Sequence, residues 1–216
     1  MYDLGREQRL DRYDLAHATV RDILTEMKDI SEIMVDLAYA SIMFDSEEIA
    51  EEVKNLEEDM EELSKSIRTK AMLSARTHKD AAKLSSLLEV AAASRRISNA
   101  AGDIVKLMEC EVDKRPFLTF ILREAEEKIK RLVLEDVSDM VGRQIGELGV
   151  ESETGMRIIA IKRGKRWMYD PEEENKLKAG DVLIVRGTDD GYDVLRSFAN
   201  GDEKWPEYPD EDEEED

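Results

Sequence analysis

The sequence predicts an α+β protein of two domains, an antiparallel three-helix bundle followed by a small domain with an antiparallel sheet. Two observations lead to this fold class. Before Pro116, apolar residues recur at alternating steps of three and four, which places them on one face of a helix. After Leu134, short apolar runs alternate with turns that contain glycine, a pattern typical of strands. Because the pattern changes once, we expect one domain boundary between these two residues.

Three apolar stripes predict the helices of the bundle. The first stripe covers Val20–Phe44, the second covers Ile49–Ile67, and a weaker third covers Leu84–Val112. Apolar residues at this spacing form the buried seam of antiparallel bundles. Short links between long helices make neighbours antiparallel, so we predict that these three helices pack side by side.

Capping residues indicate where the helices begin. Asp45-Ser46 precedes two glutamates and has the character of a helix N-terminus, and Thr77–Asp80 is the other predicted turn. A short helix at Gly5–Asp14 is expected before the bundle. We divide the chain into a helical bundle at 1–115, a helical connector at 116–128, a mixed domain at 129–200 and an acidic, disordered tail at 201–216.

The middle of the third predicted helix is rich in small residues. Ala91-Ala92-Ala93-Ser94 is followed by Ser98 and by Ala100-Ala101-Gly102. Small side chains let a neighbouring backbone approach closely, as in tight helix packing or a dimer face. The same stretch also leaves room for a ligand, and the sequence leaves both readings open.

The mixed domain is predicted as strand, helix, three strands and helix. Pro116 is suited to the first turn of the connecting helix, Phe117–Glu127. Antiparallel strands with helices on one side form an α+β sandwich. The predicted elements are a strand at Ile129–Leu134, a helix at Ser138–Leu148 stopped by Gly149, a strand at Arg157–Arg163, a turn at Gly164-Lys165, strands at Arg166–Asp170 and Asp181–Arg186, and a last helix capped by Thr188.

Composition excludes several classes of function. The chain has 52 acidic and 32 basic residues and a net charge of -20, and an acidic surface repels nucleic acid. The single cysteine excludes a disulfide framework and indicates a reducing cytoplasm. No apolar run approaches the length of a membrane span. The high charge content is typical of a protein from a thermophile and equally of a soluble, helix-rich protein.

Catalytic motifs are absent from the sequence. His17 and His78 are isolated, and no Gly-x-Ser-x-Gly, His-Glu-x-x-His or Walker sequence occurs. No Gly-x-Gly-x-x-Gly follows a strand, which argues against a Rossmann-type nucleotide site. We therefore predict that the protein is not an enzyme, and that any cofactor is limited to a small anionic ligand or a divalent cation.

A basic cluster near the predicted hairpin is the candidate ligand site. Phosphate-bearing ligands need such donors, and the alternative is an edge hairpin protected by charge. The run Ile158–Ile161 is apolar on both faces, which indicates either a central strand or a strand covered by a partner subunit. The candidate residues are Arg143, Arg157, Lys162, Arg163 and Arg166.

The helical half resembles the PhoU family, through the segment from Met27 to Asp36. Glu32 and Asp36 match the Glu/Asp-x-x-x-Asp pattern that PhoU proteins use for metal clusters, and residues four apart share a helix face. The resemblance therefore implies a divalent cation at Glu32 and Asp36. The third helix departs from the pattern, because it offers Arg95, Asn99 and Asp103 in place of a clean acidic pair.

The mixed half resembles the TrkA-C or RCK-C domain over residues 130 to 200. The resemblance rests on the turn glycines, on Asp170-Pro171 and on Gly180-Asp181 before the last strand. The two halves together are similar to archaeal PhoU–TrkA-C fusion proteins, which are potassium transport regulators.

This resemblance implies a cytoplasmic, ligand-sensing regulatory subunit of potassium or another cation transport. It implies a homodimer formed through the mixed domain, a small-molecule ligand, and an integral-membrane channel or transporter as partner at the inner face of the membrane. The alternatives are a PhoU-like signalling adaptor in phosphate uptake that binds metal, and a metal-dependent phosphohydrolase.

Overall fold

A computed structural model describes residues 15, 17–109, 127–164 and 166–206. The chain divides into two compact units, Met1–Thr119 and Phe120–Asp216, which are treated separately below. The helix predicted at Gly5–Asp14, nearly all of the helix predicted at Phe117–Glu127, and the last ten residues of the predicted tail lie outside the described residues.

The described part of the N-terminal unit contains three long helices: α1 (Val20–Phe44), α2 (Glu47–Ser74) and α3 (His78–Val105), with a 3-10 turn at Lys106–Glu109. Each helix packs against the other two. The cap residues are Thr19, Ser46 and Thr77, whose side chains accept hydrogen bonds from backbone amides in the first turn. The predicted three-helix bundle and both predicted breaks are therefore confirmed.

The core of the bundle is supplied unequally by its helices. Apolar residues are buried from Ile23 to Ile42 in α1 and along the whole predicted stripe in α2, whereas the buried residues of α3 begin only at Ala91. Gly102 of α3 faces α2 so closely that an added Cβ would lie 2.7 Å from the Glu57 side chain. The small residues around Ala101 and Gly102 thus serve close helix packing. Within the described ranges, no helix has both the length and the apolar character to cross a bilayer.

The C-terminal unit is built on an antiparallel sheet, as predicted. In its described part the strands are β1 (Lys128–Val133), β2 (Arg157–Arg163), β3 (Arg166–Tyr169) and β4 (Val182–Gly187), in the spatial order β1-β4-β2-β3. Every neighbouring pair is antiparallel. Since β2 lies between β4 and β3, the doubly apolar run Ile158–Ile161 belongs to an interior strand of the sheet.

The helix predicted at Ser138–Leu148 is wrong for most of its length. Turns occupy the first half, and only α4 (Ile145–Leu148) and α5 (Val150–Thr154) are helical. The Ser138 hydroxyl donates to the carbonyl of Phe198, and the backbone of Gln144 forms a bridge with Lys176. Non-local partners therefore replace the helical hydrogen bonds. Gly149 does end α4, in the left-handed conformation predicted for a helix stop.

One face of the sheet packs against the last helix, α6 (Asp189–Asn200), and forms the core of this unit. Trp205 is 3% exposed, and its ring lies 4.7 Å from that of Phe198. Its backbone amide donates to Asp139, so residues 201–205 belong to the folded unit and not to the tail predicted from residue 201. The core residues are Leu132, Leu134, Met140, Leu148, Val150, Met156, Ile158, Ile161, Leu177, Leu183, Val185, Leu195, Phe198, Ala199 and Trp205.

Asp189 joins the first turn of α6 to β1, because its carboxylate accepts hydrogen bonds from Lys128 and Lys130. These two lysines, Lys128 first, hold the pKa of Asp189 below its usual range. A carboxyl whose pKa is lowered by folding adds stability above its unfolded pKa of about 3.9 and loses that contribution as the pH falls through the folded pKa.

We therefore expect Asp189→Asn to destabilise the C-terminal unit at pH 7, and we expect this loss to shrink as the pH falls below about 3.9. Asp190→Asn is the matched control, since Asp190 also lies in the first turn of α6 and experiences the same helix dipole. Urea unfolding followed by tryptophan fluorescence measures this unit alone, because both tryptophans, Trp167 and Trp205, lie in it. Equal losses in the two variants at pH 7 would contradict the role of the lysines.

Candidate ligand-binding face

The sheet has a second face, opposite the core, which we call the outer face. A β-bulge between Ile158 and Ala160 decides which residues of β2 reach it. Because of the inserted residue, Arg157 and Lys162 lie on the same face although they are five positions apart. The strand pairing assigns to the outer face Ile129, Arg131, Val133, Arg157, Ala160, Lys162, Trp167, Tyr169, Val182, Ile184 and Arg186.

Two aromatic side chains lie at one border of the outer face. Trp167 and Tyr169 are two residues apart on the edge strand β3, so both point to the same side. Their rings stack with centroids 5.7 Å apart and planes 7° from parallel. The Lys162 ammonium lies 4.9 Å from the centroid of Trp167, within the range of a cation–π contact. The pair therefore forms a flat platform with a cation beside it.

Three arginines complete the outer face. Arg157 pairs with Asp170 at 3.2 Å, and Arg186 pairs with Glu127 at 3.5 Å. Both guanidinium groups remain about one third exposed, and Arg131 is exposed. Ion pairs between partly exposed groups contribute little stability, so an anion that enters this face can replace either carboxylate at small cost.

The centre of the outer face is apolar. Ala160 and Ile184 point away from the core cluster but are already covered by other groups, at 0% and 1% exposed, whereas Val133 on the same face is 42% exposed. Small-molecule sites combine such an apolar surface with a few polar groups that fix orientation. Guanidinium groups bind phosphate and carboxylate oxygens, and aromatic rings stack on planar rings. The outer face is therefore suited to a planar, anionic molecule.

Of the five predicted basic residues, the structure brings two together. Arg157 and Lys162 lie on the outer face, whereas the pairing of Arg163 with Arg166 places those two on the opposite face. Arg143 lies in the turn before α4, where its carbonyl accepts a hydrogen bond from the Leu177 amide. The assignment of Arg143, Arg163 and Arg166 to a ligand stays a prediction.

Arg163 has a structural partner. Its Nε and Nη2 donate to the two oxygens of Asp181 at 2.8 and 2.7 Å, and Nη2 also donates to the Lys176 carbonyl. The Asp181 side chain is 0% exposed, and its hydrogen bonds raise the pKa of Arg163 above the ordinary value. The Lys178 amide donates to the same carboxylate. Asp181 thus ties the turn before β4 to the end of β2.

Sequence reasoning missed Trp167, Tyr169, Arg131 and Arg186 as site residues. The alternation of Trp167 and Tyr169 along one strand was a readable signal, since residues two apart share a face. Arg131 and Arg186 join the site only through strand pairing, which depends on the register of distant segments.

The predicted metal pair lies on α1. Glu32 accepts a hydrogen bond from Lys28 at 2.9 Å, and this contact, followed by that with Asp29, raises the pKa of Lys28. Asp36, one turn further on, is buried. No group of three or more His, Cys, Asp or Glu side chains with metal-binding geometry occurs in the part of the chain that the structure describes. Metal binding by Glu32 and Asp36 stays a prediction.

Comparison with known proteins identifies both units. The family model of the TrkA-C domain matches residues 129–200, and that of the PhoU domain matches residues 24–108. A probable potassium channel protein 2 from Methanocaldococcus jannaschii is 27% identical over 127 residues, which cover 54% of this chain and 36% of the relative. The matched region thus spans about a third of that relative's own length.

Two solved structures match the C-terminal unit. The RCK_C domain dimer of S. agalactiae BusR, in complex with c-di-AMP, is 25% identical with a TM-score of 0.34, over 36% of this chain and 95% of that one. The RCK C domain of the potassium transport protein KtrA, also in complex with c-di-AMP, is 30% identical with a TM-score of 0.32, over 39% of this chain and 96% of that one. The family models thus show a PhoU domain at residues 24–108 and a TrkA-C domain at residues 129–200 of this chain.

Proposed function

We propose that the protein is a non-enzymatic, cytoplasmic regulatory subunit of potassium transport. It forms a homodimer through its TrkA-C domain, binds a small anionic ligand there, and acts on an integral-membrane channel or transporter. The TrkA-C match and the similarity to a protein named as a potassium channel support this assignment. The observation that carries the sensing role is the outer face, where Lys162 lies beside a stacked aromatic pair and three arginines share the same face.

The contacts of Arg157 give ligand binding a way to change the domain. A bound anion competes with Asp170 for Arg157. Asp170 has a positive φ of 44°, and its amide donates to the carbonyl of the bulged residue Ile159. The segment that follows pairs with α4, because Ile145 and Gly146 donate to the carbonyls of Asn175 and Glu173. When an anion takes Arg157 from Asp170, the segment after Asp170 is free to shift, and its hydrogen bonds to Ile145 and Gly146 pass that shift to α4.

A regulatory role also requires two states with different affinities for the ligand. In this proposal the ligand-free state holds the Arg157–Asp170 pair, and the bound state exchanges it for an Arg157–ligand contact. The proposed ligand bears phosphate and a planar ring, because the outer face offers both guanidinium groups and a stacking surface.

Binding is tested by calorimetric titration of the full chain with c-di-AMP and with ATP. We expect saturable binding of at least one of them, weakened about 5- to 150-fold by Trp167→Ala, since stacking of a base on an aromatic ring contributes about 1–3 kcal/mol. Arg157→Gln removes a charged donor, and we expect it to weaken binding to a similar degree.

Arg166→Gln is the matched control. Arg166 precedes Trp167 on the same strand, carries the same charge and lies on the opposite face. We expect its affinity to stay within twofold of that of the unmodified chain. Equal losses in the Arg157 and Arg166 variants would rule out the outer face as the site, and no binding of either nucleotide would contradict the sensing role. The sedimentation coefficient of the same samples tests whether the chain forms a homodimer.

The PhoU match also favours a second function, that of a signalling adaptor in phosphate uptake that binds a divalent cation through Glu32 and Asp36. The geometry supports it less, because Glu32 already pairs with Lys28. Elemental analysis of the purified chain separates the two functions. Stoichiometric metal that is lost in Asp36→Asn favours the adaptor.

A further inference from the structure

A groove between α2 and α3 of the PhoU domain has no role in the function proposed above. It encloses about 420 Å³, within the usual range of small-molecule sites. It lies where the buried face of α3 begins, away from the predicted metal residues on α1. The lining residues are Ser64, Ile67, Arg68, Leu88, Ala91, Ala92, Arg95, Arg96 and Asn99.

The charge of the lining contrasts with that of the chain. The groove is lined by three arginines and no acidic residue, although the chain has 52 acidic and 32 basic residues. Arg68 comes from α2, whereas Arg95 and Arg96 come from α3, so cations approach the groove from both helices. A cluster of like charges raises the electrostatic energy of the unoccupied bundle, and an anion in the groove relieves it.

The arginines are held only lightly by other protein groups. The Arg68 Nε donates to the Ser64 carbonyl at 2.8 Å, which uses one of the five N–H donors of its guanidinium. Arg95 lies 4.0 Å from Glu61, at the limit of an ion pair, and both side chains are exposed. Such a pair contributes little stability, so a ligand oxyanion can displace Glu61.

The rest of the lining is uncharged: Ser64 and Asn99 are polar, and the other four residues are apolar. Ile67 and Ala91 are buried, and Leu88 is half-buried. The short side chains of Ala91 and Ala92 leave the space of the groove empty, because larger side chains at these positions would fill it. The two readings of the small-residue stretch thus apply to different parts of α3: Ala101 and Gly102 pack against α2, whereas Ala91 and Ala92 leave a space.

We propose that this groove binds a small organic phosphate. The arginines bind the phosphate, and the apolar body of the ligand packs against Leu88 and Ala92, which are the accessible apolar residues of the lining. A phosphate carries about -1.5 to -2 charges at pH 7 and three acceptor oxygens, which match several guanidinium groups. A single carboxylate is satisfied by one arginine fork, so phosphate is the better match for three arginines.

Phenyl phosphate is the probe, because it joins an oxyanion to an apolar ring. Its ³¹P resonance is followed as the full chain is added; inorganic phosphate is followed in the same way, and phenol by its aromatic ¹H resonances. We expect saturable binding of phenyl phosphate, weaker binding of inorganic phosphate and none of phenol. We expect Arg95→Gln with Arg96→Gln to weaken binding of phenyl phosphate at least tenfold, and Ala92→Phe to do the same by filling the groove.

Two matched controls lie on the same bundle outside the groove. Arg21→Gln with Arg76→Gln removes the same number of charges, and Ala100→Phe adds the same ring to an exposed position of α3. Both controls, and Trp167→Ala on the outer face, are expected to bind within twofold of the unmodified chain. The proposal is overturned if the unmodified chain shows no saturable binding, or if both groove variants bind as well as their controls.

Discussion

We expect Arg163→Leu to lower the free energy of unfolding of the C-terminal unit by about 3–5 kcal/mol, because breaking a buried ion pair leaves an uncompensated charge. The charge left behind is the carboxylate of Asp181, which is fully buried. Leucine removes both bonds from Arg163 and leaves the Lys178 amide as the remaining described donor. One neutral donor does not offset the desolvation of a carboxylate.

The converse variant, Asp181→Asn, is expected to cost less, about 1–3 kcal/mol. The guanidinium of Arg163 is one third exposed and keeps its bond to the Lys176 carbonyl, so it reaches water when the carboxylate is removed. Both single variants break the same ion pair. The expected difference between their losses of stability therefore reflects the greater burial of Asp181.

Urea unfolding followed by tryptophan fluorescence measures both losses. The double variant Arg163→Leu, Asp181→Asn completes the cycle, and we expect it to be more stable than Arg163→Leu alone because no buried charge remains. If Asp181→Asn proved the more damaging single variant, the carboxylate would not be the buried partner that fixes the turn before β4.

Gly191→Ala is the substitution with the second largest expected effect, a loss of about 3 kcal/mol through overpacking. A Cβ on Gly191 would lie 2.3 Å from the backbone carbonyl oxygen of Thr154, at the end of α5. Alanine stabilises a helix by about 1 kcal/mol relative to glycine, so helix propensity alone predicts that this substitution would raise the stability. The clash is with backbone, so α5 and α6 have to move apart.

Gly180→Ala serves as the control for this effect. Gly180 has a positive φ of 80° and no atom within 4 Å of an added Cβ. Alanine at this position therefore loses stability only because it has to adopt the left-handed conformation, at a cost of about 1 kcal/mol. The same fluorescence-detected unfolding compares the variants. A loss in Gly191→Ala no larger than that in Gly180→Ala would show that α5 and α6 separate without cost.

The sequence predicted the elements whose signals are local. Ser46 and Thr188 marked helix starts through cap chemistry, and the strand at Arg157–Arg163 was predicted to the residue. The helix at Ser138–Leu148 failed because its apolar spacing is helical, while its backbone partners, Phe198 and Lys176, are distant in sequence. Local patterns carry no information on such partners.

The candidate site was predicted only in part, because it too depends on residues that are distant in sequence. The basic residues near the hairpin were visible as charges, but their distribution between two faces depends on the bulge in β2 and on the pairing with β4. Lys162 and Arg163 are neighbours in sequence and point to opposite sides of the sheet. The groove on the PhoU domain was anticipated only as space beside Ala91 and Ala92, because its arginines come from two helices.

The single extra residue in β2 sets the chemical character of a whole surface. In an uninterrupted strand, positions 157 and 162 are separated by an odd number of steps and face opposite ways. If β2 ran without the bulge and Ile159 paired in register with β4, the chain would keep every charge and every ring, yet just one of these two cations would lie on the face that carries Trp167. The bulge, more than composition, therefore decides which cations share a face with the stacked rings.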